Sequence, residues 1–120
     1  MGPETEKLLD RTFIFGVCIL KFLMTLPDNH IKKIPINHLA KSSTSIGSNY
    51  EEAQGAESKR DFIHKIGICY KESRECIYWL RVLKEINSEK HYIKEFNSFL
   101  KEALELKNIF GAIKKSSQAK

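Results

Sequence analysis

Cysteine is scarce and odd in number: Cys18, Cys69 and Cys76 are the only three. They lie inside apolar stretches with no C-x-x-C spacing, so neither a disulfide framework nor a zinc ribbon follows, and reduced thiols on inward helix faces are expected. Proline is as sparse. Pro3, Pro27 and Pro35 leave residues 36–120 free of it, so the last 85 positions can run as long uninterrupted helices. No apolar run is long enough for a membrane. The longest, Thr12 to Leu26, is broken by Lys21, and its 15 residues would span about 22 Å against a hydrocarbon core of ~30 Å. Acidic Glu4, Glu6 and Asp10 occupy the region where a signal peptide carries basic residues, and no small-residue cleavage site precedes Pro27. The expectation is a soluble cytoplasmic protein with no membrane partner.

Metal and catalytic signatures are missing too. A di-iron site in a helical bundle needs E-x-x-H steps, and the residues three before His30, His38, His64 and His91 are Pro27, Pro35, Asp61 and Ser88. No phosphate-cradling glycine motif occurs, and thiols on inward faces act as small hydrophobes rather than nucleophiles. No cofactor, metal site or catalytic residue is therefore assigned.

What remains is helix. The chain has 120 residues, 42% hydrophobic and 29% charged, which makes one domain able to bury about two thirds of its extended surface. Four helical segments are read, at roughly 4–26, 32–54, 58–86 and 88–115, forming an all-α, antiparallel up-down-up-down four-helix bundle over 1–120. The first is apolar on nearly every side, which implies burial on more than one face and association between copies. Pro27-Asp28-Asn29 ends it as a turn. In the second, Ile36, Leu39, Ala40, Ser43, Ile46, Gly47, Tyr50 and Ala53 form an inward stripe whose small middle lets a neighbour approach closely. Gln54-Gly55-Ala56 breaks it, and Ser58 with Asp61 three residues on caps the third helix. There Phe62, Ile66, Cys69, Ser73, Cys76, Leu80 and Leu83 repeat at spacings of 4 and 3, the seam of a shallow-angle bundle. Asn87-Ser88 closes that helix and caps a fourth whose apolar face is Ile93, Phe96, Leu100, Ala103, Leu104 and Phe110.

Five polar residues, Ser45, Asn49, Glu52, Glu72 and Glu75, lie beside the inward stripes, not opposite them. They are read as a structural polar layer, hydrogen-bonded across the second and third helices, since a buried polar group without a partner costs roughly 1–3 kcal/mol. Tyr78-Trp79 reads as core and interface rather than a base-stacking platform.

These residues also carry a family resemblance. The order S-x-G-x-N-Y-x-E-A at Ser45, Gly47, Asn49, Tyr50, Glu52 and Ala53, then S-K-x-D-F-I at Ser58, Lys59, Asp61, Phe62 and Ile63, then E-x-x-E-x-x-Y-W-L at Glu72, Glu75, Tyr78, Trp79 and Leu80, resembles the four-helix-bundle proteins encoded in 23S ribosomal RNA intervening sequences. The likeness is close from Leu26 to Leu83 and a matter of pattern in the flanking helices. It implies an up-down-up-down bundle, a ring-like homopentamer and no established enzymatic activity. It also implies kinship with the accessory variability determinant of diversity-generating retroelements, a basic bundle that binds nucleic acid and a reverse transcriptase.

A net charge of +5 and a pI near 9.1 permit binding to a polyanion. At one bundle end Lys7, Arg11, Lys59, Arg60, Lys114, Lys115 and Lys120 balance as many carboxylates, so the excess lies elsewhere. Lys32, Lys33, Lys41, Lys65, Lys71, Arg74 and Arg81 are the candidate RNA or DNA contacts. The expected function is a non-enzymatic oligomer that binds nucleic acid through these faces. The alternative is a protein-interaction scaffold, such as an accessory subunit for a nucleic-acid enzyme, with no nucleic-acid contact of its own.

Overall fold

The computed structural model describes residues 2–27, 29–87 and 89–119. Asp28, Ser88 and Lys120, parts of the expected turn, cap and charged end, lie outside the described residues. Four helices follow in order, α1 (Pro3–Leu23), α2 (Lys33–Ala53), α3 (Lys59–Ile86) and α4 (Ile93–Gln118), with a short 3-10 turn at Lys90–Tyr92 before α4. The described residues contain no strand.

Local chemistry accounts for the helix ends. Pro3 opens α1, where its missing N–H is not needed, with Glu4 and Glu6 in the first turn and Lys21 in the last. Asn29 Oδ1 accepts from the Ile31 and Lys32 amides and turns the chain into α2. Ser58 Oγ accepts from the Asp61 amide at 3.0 Å, while Asp61 Oδ2 accepts from the Glu57 amide at 3.3 Å, so the cap read from sequence forms.

Neighbouring helices are antiparallel. Between α2 and α3, Glu52 meets Lys65, Ile46 meets Cys69, Ser42 meets Cys76 and His38 meets Trp79, one partner rising as the other falls. Tyr70 against Gly111 and Lys84 against Asn97 give the same order for α3 and α4. This is compatible with the expected up-down-up-down path. The core is Leu39, Ile46, Ile66, Cys69, Cys76, Leu80, Leu83, Phe96, Ala103, Leu106 and Phe110, with Ile19 from α1.

The two contacts of α1 differ in kind. Against α2 it runs close, because a Cβ on Gly16 would lie 3.3 Å from the Ser43 carbonyl oxygen and one on Gly47 would lie 3.4 Å from Thr12. Buried Thr12 satisfies its hydroxyl on the Leu8 carbonyl. Against α4, bulk sets the distance. Phe22 packs on Tyr92, Phe96 and Phe99 with centroids 5.1–5.8 Å apart, and Arg11 grips Glu102 through two 2.7 Å hydrogen bonds.

Three expectations of burial are corrected. Cys18 is exposed, because Phe15, Ile19 and Phe22 take the inward positions of α1. Leu104 is 47% exposed and Leu106 fully buried, with Ile93 also outside the core, so the inward stripe of α4 runs Phe96, Ala103, Leu106, Phe110. Tyr78 stands 56% exposed. The total surface of 7567 Å² exceeds the roughly 6,700 Å² of a compact chain this size, as suits a body of 47 × 24 × 20 Å with an apolar α1 flank facing outward.

Candidate nucleic-acid interface

The inward seam of α3 has a counterpart on the opposite side of the same helix. Arg60, His64, Gly67, Lys71, Arg74, Tyr78 and Arg81 recur at spacings of 4 and 3, so they stand in one row, about 32 Å long at 1.5 Å per residue. Every member but Gly67 is exposed, and the row holds no carboxylate before Glu85.

Helix α4 adds charge along one flank of this row. Half-buried Lys114 lies across Gly67, where a Cβ would meet its Nζ at 3.4 Å. Arg60, His64, Lys71 and Lys114 line a groove of about 430 Å³ with no carboxylate in its wall. Higher up, Arg74 Nη1 donates to Tyr70 Oη at 3.4 Å, and its guanidinium stands 6.0 Å from the Tyr70 ring. The Tyr70 phenol is held below its ordinary pKa, first by that hydrogen bond and also by the charges of Arg74, Lys107 and Lys114.

The seven basic residues singled out from sequence divide. Lys71, Arg74 and Arg81 stand together on this row. Lys65 instead bonds Glu52 Oε1 at 2.7 Å on the α2 side, an ion pair that raises its pKa. Lys33 and Lys41 belong to α2 and Lys32 immediately precedes it, and Lys41 acts electrostatically on Glu72. Arg60, His64, Lys107 and Lys114 complete the basic face. The signal for the α3 members was the outward 4-and-3 spacing; the α4 lysines join only through packing.

The five-residue polar layer takes a different form. Asn49 Nδ2 donates to the Ser45 backbone carbonyl at 2.8 Å, Glu52 holds Lys65, and Glu75 accepts from Trp79 Nε1 at 3.3 Å. No side chain–side chain hydrogen bond joins these five to one another among the described residues. Asn49 and Glu75 bond within their own helices, and Glu52 crosses to α3 through Lys65 at the solvent edge. Glu72 is half-buried, and burial followed by the charge of Glu75 raises its pKa, while Lys71 and Lys41 oppose the shift. The buried polar contacts between α2 and α3 are made by smaller groups: Cys76 Sγ donates to Ser42 Oγ, and Cys69 Sγ to the Ile46 carbonyl, both at 3.4 Å. Burial pushes both thiols up to about 12, so they stay protonated and weakly nucleophilic. No three of His, Cys, Asp and Glu gather closely enough to hold a metal ion among the described residues, and no described helix is long and apolar enough to cross a membrane.

Trp79 is fixed from three sides. His38 stacks on it at 4.5 Å with 14° between the rings, Glu75 accepts its N–H, and Tyr78 meets it edge-on at 4.8 Å and 84°.

Comparison with known proteins agrees with this architecture. Residues 6–112 match the family described as 23S rRNA-intervening sequence protein. The crystal structure of a protein of unknown function from the S23 ribosomal protein family of Bacteroides thetaiotaomicron is similar, with a TM-score of 0.80 and 28% identity over 92% of this chain and 97% of that one. No curated protein matches the sequence.

Proposed function

The chain belongs to the 23S rRNA-intervening sequence protein family, and from that premise we propose that it is a non-enzymatic, oligomeric helical bundle that binds RNA or DNA through the outward row of α3 and the lysines of α4. The observation that carries this reading is the carboxylate-free row from Arg60 to Arg81, flanked by Lys107 and Lys114. Cations at such spacing neutralise successive phosphates and release counterions, which favours a polyanion without regard to base sequence.

Self-association is supported by α1. Phe13, Val17, Leu20 and Met24 recur at spacings of 4 and 3 on its outer side, with Phe13 68% and Met24 78% exposed. A row of this kind is a seam awaiting a partner helix. A ring of five is what the family likeness implies, and repetition of the basic row around it would raise the avidity for a long polyanion.

Filter binding of a structured RNA at two salt concentrations tests the reading. Affinity is expected to fall steeply with salt, by about 0.9 log units per log unit for each phosphate contact. Absence of binding at about 50 mM salt, where the electrostatic term is strong, would overturn it in favour of a scaffold that docks proteins alone.

A further inference from the structure

Beyond Arg74, the α3 row changes character at Tyr78. An open groove of about 750 Å³ runs between α3 and α4 here, lined by Tyr78, Arg81, Val82, Lys84, Glu85, Ile86 and Leu100. Val82 and Leu100 are half-buried, while Ile86 and Tyr78 are largely exposed. Edge-on contact with Trp79, itself held by His38 and Glu75, restricts the Tyr78 ring and leaves aromatic surface facing solvent. Arg74 lies one turn below Tyr78 and Arg81 one turn above, and Lys84 is kept at the rim by its 2.7 Å bond to Asn97 Oδ1. The groove therefore joins an apolar floor and a restrained aromatic ring to Arg74 on one side and Arg81 on the other, with the Glu85 carboxylate at its far edge beyond Arg81.

We propose that this groove receives an unpaired nucleobase stacked on Tyr78, with Arg74 and Arg81 on the neighbouring phosphates, so that the preferred ligand is single-stranded nucleic acid rather than a duplex. The inference rests on the nucleic-acid reading above and narrows it. A ligand that suits both floor and rim must carry a flat apolar body on an anionic chain, which is the constitution of a nucleotide strand. In a duplex each base is stacked and paired, so Tyr78 would meet only sugar and phosphate, and its ring would add little. An exposed aromatic between arginines suits an unstacked base of any identity, since every base offers a π face.

The test uses the whole chain and four probes: oligouridine and oligothymidine of about 12 nucleotides, a length within the range covered by single-strand sites, a blunt duplex of equal length, and an oligothymidine with abasic positions. The single strands are expected to bind at least tenfold more tightly than the duplex. Abasic substitution, which keeps the phosphates, should weaken binding by about 5- to 150-fold, the range of base–aromatic stacking. Tyr78→Ala should lose a similar factor on single strands and almost nothing on the duplex, whereas Tyr78→Phe should stay within about twofold of the parent, because it keeps the ring. The abasic arm needs no variant and stands even if Tyr78→Ala were misfolded. Equal or tighter binding of the duplex, or indifference to abasic sites, would overturn the groove assignment while leaving the phosphate-binding reading intact. Failure of every probe to bind at about 50 mM salt would overturn both.

Discussion

Helices α1 and α3 each expose a row of side chains with the same 4-and-3 spacing, and the rows differ in everything else. That of α1 is Phe13, Val17, Leu20 and Met24; that of α3 is Arg60, His64, Lys71, Arg74, Tyr78 and Arg81. Identical geometry thus offers water an uncharged strip in one place and a cationic one in the other. An apolar strip gains free energy when another apolar surface covers it, and a cationic strip when condensed counterions are released. A chain built this way can assemble through one side while another stays open to a polyanion.

The comparison breaks most visibly at α1. Phe13→Glu combined with Met24→Glu should weaken association by about two to four orders of magnitude, taking 1.5–3 kcal/mol per buried side chain. Light scattering at micromolar concentration should then return the monomer mass of 13.9 kDa, with the helical content of the bundle unchanged, since neither side chain is in its core. A parent protein already at that mass would remove the role assigned to α1.

At α3 the expected effect is smaller and electrostatic. Replacing Lys71, Arg74 and Arg81 together by Gln should reduce the slope of log affinity against log salt on a single strand by about 2, near 0.7 per contact. Lys65→Gln, whose ammonium already bonds Glu52, should leave the slope unchanged. A slope that responds equally to both variants would show charge to act diffusely rather than through the row.

The α2–α3 pairing was legible in the sequence because its periodicity is sustained: Ile66, Cys69, Ser73, Cys76, Leu80 and Leu83 are buried as the spacing required. Helix α4 was less legible. Its 3-10 entry at Lys90–Tyr92 and the weak contrast around Leu104 and Leu106 leave the phase of the inward stripe to tertiary packing. The polar residues misled for a related reason. Position on a helix wheel gives an angle but no partner: Asn49 and Glu75 bond within their own helices, and Glu52 crosses to the Lys65 ammonium of α3 rather than to another member of the layer. The basic face was half hidden, because the sequence gives the charges of Lys107 and Lys114 but not the helix they will lie against.

Two glycines sharpen the contrast between these regions by the sign of one substitution. Gly67→Ala should stabilise the fold by about 0.5–1 kcal/mol through helix propensity, since its new methyl meets only the flexible end of Lys114 at 3.4 Å. Gly16→Ala should destabilise by about 1 kcal/mol, the low end of overpacking costs, because the methyl would stand 3.3 Å from the Ser43 carbonyl oxygen and 3.5 Å from Thr44 Cα, both helix backbone. Denaturant melts that moved both midpoints in the same direction would show that the α1–α2 crossing is no tighter than the α3–α4 face.

The smallest effect is expected at Glu72, on the flank where α3 turns from its basic row toward α2. Burial and the neighbouring Glu75 raise its pKa above the ordinary 4.5, so the fold binds its proton more tightly than the unfolded chain does. For an acid shifted upward, the cost of ionisation in the fold is absent well below the unfolded pKa, grows as pH rises through the interval between the two values, and is fully present above the folded one. Glu72→Gln removes that charge while keeping nearly the same shape. The variant should therefore melt slightly higher than the parent at pH 7, by less than about 0.5 kcal/mol for a half-exposed site, and the advantage should disappear toward pH 4. Lys71 and Lys41 pull in the opposite direction, so a variant less stable than the parent at pH 7 would mean that attraction to those lysines outweighs desolvation, and that the carboxylate is held by the basic side of the molecule rather than tolerated beside it.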